Sequence, residues 1–309
     1  MDNERLISIL ERIATALETI AEKNSFTLPI SANSKRQNIN KNDNSTTTNS
    51  EETNEQDIIS VNDVNPIFRF LADKKIQVKT FQTDEEIDDV LDNIALFMGN
   101  RYNKIKKVYN AIKGKLNTGT GFRLDLKNAT QEEVSYSCQL CNSLHQIAFL
   151  SEYKYFKSPQ FVINARPNRI PTAINFFTGQ WLERFIKTEV KNSIRKLEMP
   201  IKFAYLTNPQ IILPNGDDFE LDVLFSIDEE IFWFEAKTGD YQNYVDKYSR
   251  VAKLMQLDNK HAFMVLTEVN EQNCIALRKI FGMEVVNIEK FSETFQNSIQ
   301  HLNEKKNAL

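Results

Sequence analysis

The chain has 309 residues, of which 26% are charged and 41% hydrophobic, and its formal net charge is −4. These values are ordinary for a globular protein and leave room for about two domains. No apolar run approaches the roughly 20 residues that a membrane-spanning helix needs, and no charged-then-apolar leader is evident. Three cysteines argue against a disulfide framework. We therefore expect a cytoplasmic protein without a membrane partner.

The first segment, residues 1–23, has apolar residues at alternating spacings of four and three: Leu6, Leu10, Ile13, Leu17 and Ile20. This spacing is the heptad seam of a coiled coil. So short a helix gains most of its stability from packing. We expect self-association of the chain through this helix, and docking of the helix on its own domain is the alternative.

Residues 24–62 form a polar stretch rich in Asn, Ser and Thr, without hydrophobic periodicity. Such a composition cannot bury enough apolar surface to fold. We predict a disordered linker that holds the N-terminal helix away from the rest of the chain.

The next region, residues 63–171, is mainly helical. Helical spacings cover residues 87–98 and 104–116, and a capping box at Thr130 opens a third helix. Two short alternating segments end the region and predict a hairpin. Helices followed by a small hairpin predict a winged-helix-like module.

Charge in this module indicates a partner. Between Arg101 and Pro171 the chain carries twelve basic and four acidic residues. Such a local excess is the expected footprint of phosphate contact. We predict a nucleic-acid-binding module, with DNA favoured over RNA and a solvated surface as the alternative. The candidate contacts on it are Lys104, Lys106, Lys107, Lys154, Lys157 and Arg166.

Cys138, Cys141 and His145 suggest a zinc site in the same module. They lie within one continuous helical pattern, and no second ligand pair accompanies them. A zinc site is therefore not expected, and the preferred interpretation is cysteines on an apolar helix face.

Residues 172–309 alternate helices with strands, which predicts an α/β fold with a mixed sheet flanked by helices. At the centre lies a hairpin, in which the apolar runs 219–227 and 231–236 are joined by an acidic turn. On the helix that follows this hairpin, Lys247 and Arg250 lie three residues apart. They are candidates to clamp a phosphate, and a solvated face is the alternative.

The predicted hairpin brings charged side chains to one end. Because side chains alternate across a strand, Glu220 and Asp222 share one face of the first strand, and Glu235 and Lys237 share one face of the second. Clustered carboxylates repel one another unless a cation compensates. Oxygen ligands of this kind suit Mg²⁺ or Mn²⁺. We predict a divalent metal site, with a lysine beside it to hold water or stabilise transition-state charge.

The motif at this hairpin is Asp222, followed thirteen residues later by Glu235-Ala-Lys237. It resembles the PD-(D/E)xK nucleases, which have the restriction-endonuclease-like fold. The resemblance implies that Asp222 and Glu235 hold the metal and that Lys237 assists the attacking water. It also implies that an acid on the preceding helix, here Glu183, joins the metal ligands, and a surface carboxylate is the alternative for that residue.

The segments Gly-Gln-Trp-Leu-Glu, Glu-Leu-Asp-Val-Leu and Glu-Ala-Lys-Thr-Gly, all within about residues 172–290, give a second resemblance. They are similar to the nuclease halves of CRISPR-associated ancillary nucleases activated by cyclic oligoadenylates. Those enzymes place a nucleotide-sensing CARF domain on a Rossmann-like sheet ahead of the nuclease, and no strand-helix alternation of that kind is visible here.

Together the two resemblances imply a Mg²⁺-dependent endonuclease with a role in defence against foreign nucleic acid. The competing hypothesis is a non-catalytic nucleic-acid-binding regulator, or an assembly protein, built on a nuclease-like fold.

Overall fold

The computed structural model describes residues 65–82, 88–197, 201–239 and 241–307. These residues all belong to one of the two compact units into which the chain divides. The predicted coiled-coil helix of residues 1–23 and the predicted linker of residues 24–62 lie outside the described residues. No helix in the described part of the chain is long and apolar enough to cross a membrane.

Strands and helices are numbered here in chain order. The strands are β1 (Gln77–Gln82), β2 (Phe122–Asp125), β3 (Leu150–Phe156), β4 (Val162–Pro167), β5 (Phe203–Ile212), β6 (Asp218–Glu220), β7 (Val223–Ile227), β8 (Glu230–Lys237), β9 (Ala262–Leu266) and β10 (Glu284–Asn287). The α-helices are α1 (Pro66–Asp73), α2 (Asp88–Asn100), α3 (Tyr102–Lys113), α4 (Gln131–Gln146), α5 (Pro171–Asn175), α6 (Trp181–Arg195), α7 (Val245–Met255), α8 (Glu271–Phe281) and α9 (Ile288–Asn307).

A seven-stranded mixed sheet has the order β1-β5-β7-β8-β9-β10, with β6 also paired to β5. The pairs from β1 to β8 are antiparallel, and β8, β9 and β10 run parallel to one another. Helices cover both faces, so the predicted α/β fold with a mixed, helix-flanked sheet is confirmed. The edge strand β1 was not predicted from the sequence.

Alternation along the central strands divides the core between the two faces. Phe232 and Phe234 of β8 belong to one hydrophobic cluster, together with residues of α2, α3, α4, α6 and α9. Trp233 lies on the other face, in a cluster shared with α1, α7 and α8. The C-terminal helix α9 is amphipathic, since Phe291 and Phe295 are completely buried.

The region between residues 88 and 167 contains the expected helices and hairpin. Strands β2, β4 and β3 form a small antiparallel sheet in that order. The capping box at the start of α4 is present, because the Thr130 side chain accepts from the Glu133 N–H while the Glu133 carboxylate accepts from the Thr130 N–H. Residues of α2, α3 and α4 share one hydrophobic cluster with residues of α6, β7 and β8, so the core is continuous across the predicted domain boundary after residue 171.

The central hairpin β7–β8 turns at Asp228 and Glu229. Both have positive φ angles, 51° and 72°, and Ile227 pairs directly with Glu230. Two central residues with φ > 0 define the type I′ turn, whose twist matches that of the flanking strands. The turn fixes the pairing register of β7 and β8. This register determines which charged residues meet at the opposite end of the hairpin.

The single strand predicted over residues 219–227 was wrong. The structure divides it into β6 and β7, with Leu221 and Asp222 in a bend between them. The facing strand β5 contains Pro209, which has no N–H to give to a ladder, and Asn208, whose φ is +49°. The backbone N–H of Leu221 donates to the Pro209 carbonyl, and that of Asn208 donates to the Asp222 carbonyl. The Asp222 N–H is thereby left for the site described below.

Candidate active site

Asp222 and Glu235 meet at one end of the central hairpin. Because β7 and β8 are antiparallel, the start of β7 lies beside the end of β8. Asp222 occupies the bend just before β7, and Glu235 lies near the end of β8. Asp222 is 7% exposed and Glu235 is completely buried. Two carboxylates are thus held in a low-dielectric environment, where charges interact more strongly than in water.

Each of these carboxylates accepts a hydrogen bond from a backbone N–H at or next to the other acid. Asp222 Oδ2 accepts from Ala236 N at 2.7 Å, and Glu235 Oε1 accepts from Asp222 N at 3.2 Å. Glu235 Oε1 also accepts from Trp233 Nε1 at 3.0 Å. These bonds fix both side chains before any ligand arrives, a pre-organisation that supports catalytic geometry.

The pKa of Glu235 is raised well above its usual range. Burial is the largest cause, and the Asp222 carboxylate adds to it, while Lys237 and the backbone N–H of Asp222 act in the opposite direction. A buried carboxyl group beside a second carboxylate favours its protonated form unless a cation compensates.

Lys237 supplies that positive charge. Its Nζ lies 3.2 Å from Asp222 Oδ2 and 3.3 Å from Glu235 Oε2, and 5.2 Å from the ring centroid of Tyr248 on α7. Burial lowers the pKa of Lys237, but the two carboxylates raise it by more, so the net shift is upward and the ammonium group stays charged. The predicted meeting of Asp222, Glu235 and Lys237 is present in the structure.

Glu183 approaches the same cluster from α6. A π-helical turn, Phe176–Gln180, separates α5 from α6, and Glu183 lies in the first turn of α6. Burial, followed by the negative charge of Asp222, raises the pKa of Glu183 to about 7. Asn208 links the two acids, because its Nδ2 donates to Glu183 Oε2 and its backbone N–H donates to the Asp222 carbonyl. π-Turns occur often at functional sites.

Asn208 was missed from the sequence. Its Nδ2 donates to Glu183 Oε2 at 2.9 Å and lies 3.4 Å from Glu220 Oε1. Its left-handed backbone, a conformation that Asn tolerates better than most residues, directs the amide between the two acids. The dipeptide Asn208-Pro209 inside an otherwise apolar strand was the sequence signal that could have identified it.

The acids of this site offer the oxygen ligands that hard divalent cations prefer. Asp222, Glu235 and Glu183 all present carboxylate oxygens. Burial, and after it the negative charge of Asp222, raises the pKa of Glu183 and of Glu235. Among the described residues, no group of three or more His, Cys, Asp or Glu side chains is placed so that it could hold a metal ion. The Lys237 ammonium lies between two of the acids. A bound ion would therefore have to displace the ammonium group or share the two carboxylates with it.

The predicted nucleic-acid contacts on α3 all form ion pairs. Lys104 pairs with Glu132 at 2.8 Å, Lys107 with Glu133 at 3.3 Å, and Lys106 with Glu268. Exposed pairs of this kind contribute only about 0–1 kcal/mol, so a phosphate can replace the carboxylate at little cost.

The hairpin β3–β4 carries the other predicted contacts of the module. Arg166 Nε lies 3.4 Å from a carboxylate oxygen of Glu152. The Lys154 Nζ lies 5.0 Å from the ring centroid of Phe156, and Lys157 follows on the exposed turn of the hairpin. Phosphate contact by these residues stays a prediction.

Lys247 and Arg250 lie on the exposed side of α7. The Lys247 Nζ is 4.5 Å from the ring centroid of Phe219, and this ring meets Tyr248, the residue over which Lys237 lies. The rings of Phe219 and Tyr248 thus connect Lys247 with Lys237. Arg250 Nε donates to the Asp246 carbonyl at 3.3 Å.

Fold and site together define an α/β protein with an acid–lysine cluster, Asp222, Glu235, Lys237 and Glu183, at the end of its central hairpin. No protein-family model and no curated protein sequence matches the chain.

Solved structures do match. The crystal structure of protein VC1899 from Vibrio cholerae superposes with a TM-score of 0.50 at 16% identity, covering 76% of this chain and 60% of that chain. Can2 from Sulfobacillus thermosulfidooxidans, in complex with cyclic tetra-adenylate (cA4), gives a TM-score of 0.47 at 14% identity, covering 75% of this chain and 59% of that chain. The chain thus spans less than two thirds of either structure, and the likeness to VC1899 shows a shared fold.

Proposed function

We propose that this protein is a metal-dependent nuclease that hydrolyses phosphodiester bonds in DNA, or alternatively in RNA. One observation carries the proposal. Asp222 lies thirteen residues before Glu235 and fifteen before Lys237, and the three side chains meet within hydrogen-bond distance at one buried strand end. Burying two carboxylates beside each other is costly, and a functional site is the usual reason to retain such an arrangement.

The acids would hold the cofactor. Asp222, Glu235 and Glu183 would bind Mg²⁺ or Mn²⁺, and the bound ion would supply Lewis-acid assistance and lower the pKa of water. Lys237, charged and fixed between two carboxylates, would orient the attacking water or stabilise negative charge on the phosphate. Glu183 changes its charge near pH 7, so ligation by this residue would strengthen as the pH rises through neutrality.

A non-catalytic nucleic-acid-binding protein is the second candidate. The observation that favours it is the closed ion-pair network, in which Lys237 already neutralises Asp222 and Glu235. Under this alternative the cluster would be a structural ion-pair network, and the lysines of α3 and α7 would carry the function.

Cleavage assays distinguish the two candidates. Labelled single- and double-stranded DNA and RNA are incubated with purified protein in Mg²⁺, Mn²⁺ or chelator, beside the Lys237→Met variant. Lys279→Met removes an exposed lysine on α8 and is the matched control. We expect metal-dependent cleavage that Lys237→Met loses and Lys279→Met keeps. Binding without cleavage under every metal would support the non-catalytic protein.

Self-association through residues 1–23 and a role in defence belong to the same proposal. A dimer would allow paired cuts by two copies of the site. Light scattering of the full chain, beside a variant lacking residues 1–23, tests the first part: a change from dimer to monomer is expected.

A further inference from the structure

Lys113, the last residue of α3, lies beside the acid–lysine cluster. Its Nζ donates to Thr238 Oγ1 at 3.3 Å, and Thr238 directly follows Lys237. Neighbouring contacts hold this end of α3 in place. The Tyr109 hydroxyl donates to the Phe177 carbonyl and accepts from Trp181 Nε1. Lys113 therefore lies against the end of β8, and Tyr109 on the same helix contacts the turn that precedes Glu183.

Lys113 differs from the other lysines of its helix. Lys104, Lys106 and Lys107 each pair with a carboxylate, whereas Lys113 has no carboxylate oxygen within 4.0 Å among the described residues. The negative charge of Glu268 acts on Lys113, but the oxygens of Glu268 already accept from the Tyr102 hydroxyl and from Lys106.

Burial makes this ammonium group costly. Lys113 is half-buried, and burial lowers its pKa although the Glu268 charge raises it. Its Nζ has the hydrogen bond to Thr238 and lies 5.7 Å from the ring centroid of Tyr109, but neither contact supplies the negative charge that would offset the solvation lost on burial. An anionic ligand at this position would recover that free energy. The Thr238 hydroxyl donates to the Thr178 carbonyl at 3.4 Å, and rotation of this hydroxyl away from that long bond would make it a second donor toward the ligand.

We propose that Lys113 and Thr238 bind a phosphodiester group of the nucleic-acid strand next to the one at the acid–lysine cluster. The inference rests on the proposed nuclease function and adds a phosphate subsite to it. Lys113 comes from the predicted nucleic-acid-binding region, so this region contributes to the site itself as well as to the surface around it.

Salt dependence of binding tests the subsite without requiring cleavage. The full-length protein binds a fluorescent oligonucleotide in chelator over a series of KCl concentrations, and log K is plotted against log[KCl]. One lost phosphate contact lowers the slope by about 0.7 for a single strand or about 0.9 for a duplex. We expect this decrease in Lys113→Met, no decrease in Lys113→Arg, and none in the control Lys279→Met. Thr238→Ala, which keeps the ammonium group, should weaken binding at an unchanged slope.

Two results would overturn the subsite: an unchanged slope in Lys113→Met, or an equal decrease in Lys279→Met. If Lys113→Met fails to fold, as judged by circular dichroism, Thr238→Ala decides, and its wild-type affinity would overturn the subsite. Excess AMP tests whether the subsite binds a phosphate of the strand or a free nucleotide. If AMP abolishes the difference in oligonucleotide binding between wild type and Lys113→Met, the assignment to a strand phosphate is refuted.

The subsite and the nuclease can fail separately. Wild-type protein that shows the predicted slope difference but cuts nothing under any metal would refute the nuclease and keep the phosphate site. Cleavage with no slope difference would refute the phosphate site and keep the nuclease. Absence of any binding or cleavage would overturn both proposals.

Discussion

Replacing Glu183 by Gln should stabilise the protein at high pH and leave its stability nearly unchanged at low pH. The pKa of Glu183 is raised from 4.5 to about 7 by burial and by Asp222. Near pH 4 the carboxyl group is mostly protonated in both the folded and the unfolded chain. Between pH 4.5 and pH 7 Glu183 keeps a proton in the folded chain that it has lost in the unfolded chain. The free energy of unfolding therefore falls as the pH rises through this range.

The size of the effect follows from those two values. A tenfold change in proton affinity corresponds to 1.36 kcal/mol, so the cost of the ionised Glu183 above pH 7 is about 3 kcal/mol. A Gln side chain avoids this cost and keeps an oxygen that can accept from Asn208. The variant should therefore gain about 3 kcal/mol relative to wild type between pH 4.5 and pH 8.5.

Urea unfolding at both pH values in chelator measures this quantity. Any constant cost of the new amide group cancels when the two pH values are compared. Glu293→Gln on the exposed side of α9 is the control, and its effect should stay within about 0.5 kcal/mol at each pH. A difference between wild type and Glu183→Gln that does not change with pH would refute the electrostatic account of the cluster.

Four further results are expected. The cleavage rate should rise about tenfold per pH unit below pH 7 and level off above it, because Glu183 must lose its proton to bind a cation. The pH profile of Glu183→Gln should lack this inflection. Lys237→Met should lower the cleavage rate at least about 100-fold while circular dichroism stays unchanged. Asn208→Ala should lower the free energy of unfolding by about 1–2 kcal/mol, because Ala is strained in the left-handed backbone conformation and the hydrogen bond to Glu183 is lost. Asn208→Gly should lower it by less, because Gly adopts this conformation without strain. Trp233→Phe should cost about 1–3 kcal/mol in the same assay, because buried Glu235 loses a donor.

Local sequence patterns were sufficient for most elements around the site. The capping box at Thr130, the acidic turn at Asp228 and the helices of the C-terminal region depend on residues close in sequence, and the structure contains them. The meeting of Asp222 with Glu235 and Lys237 was also accessible. A tight turn between two short strands leaves one dominant register, and this register brings their ends together.

Other features depend on partners distant in sequence. Strand β1 pairs with β5 across more than 120 residues, and no local pattern specifies such a partner. The bend at Asp222 arises from Asn208 and Pro209 in the facing strand, so the alternation of residues 219–227 alone predicted an unbroken strand. The contact of Lys113 with Thr238 requires α3 to pack against the end of β8, which only the tertiary fold determines.

The most direct test of the central claim is the cleavage rate as a function of Mg²⁺ concentration, for wild type and for Asp222→Asn. The replacement keeps the side-chain volume and one oxygen for the Ala236 N–H, so the fold should persist. We predict a saturable dependence on Mg²⁺ for wild type, and for Asp222→Asn a rate at least about 100-fold lower at every concentration. Cleavage that proceeds in chelator, or an Asp222→Asn variant as active as wild type, would contradict the assignment of this cluster as a metal-dependent nuclease site.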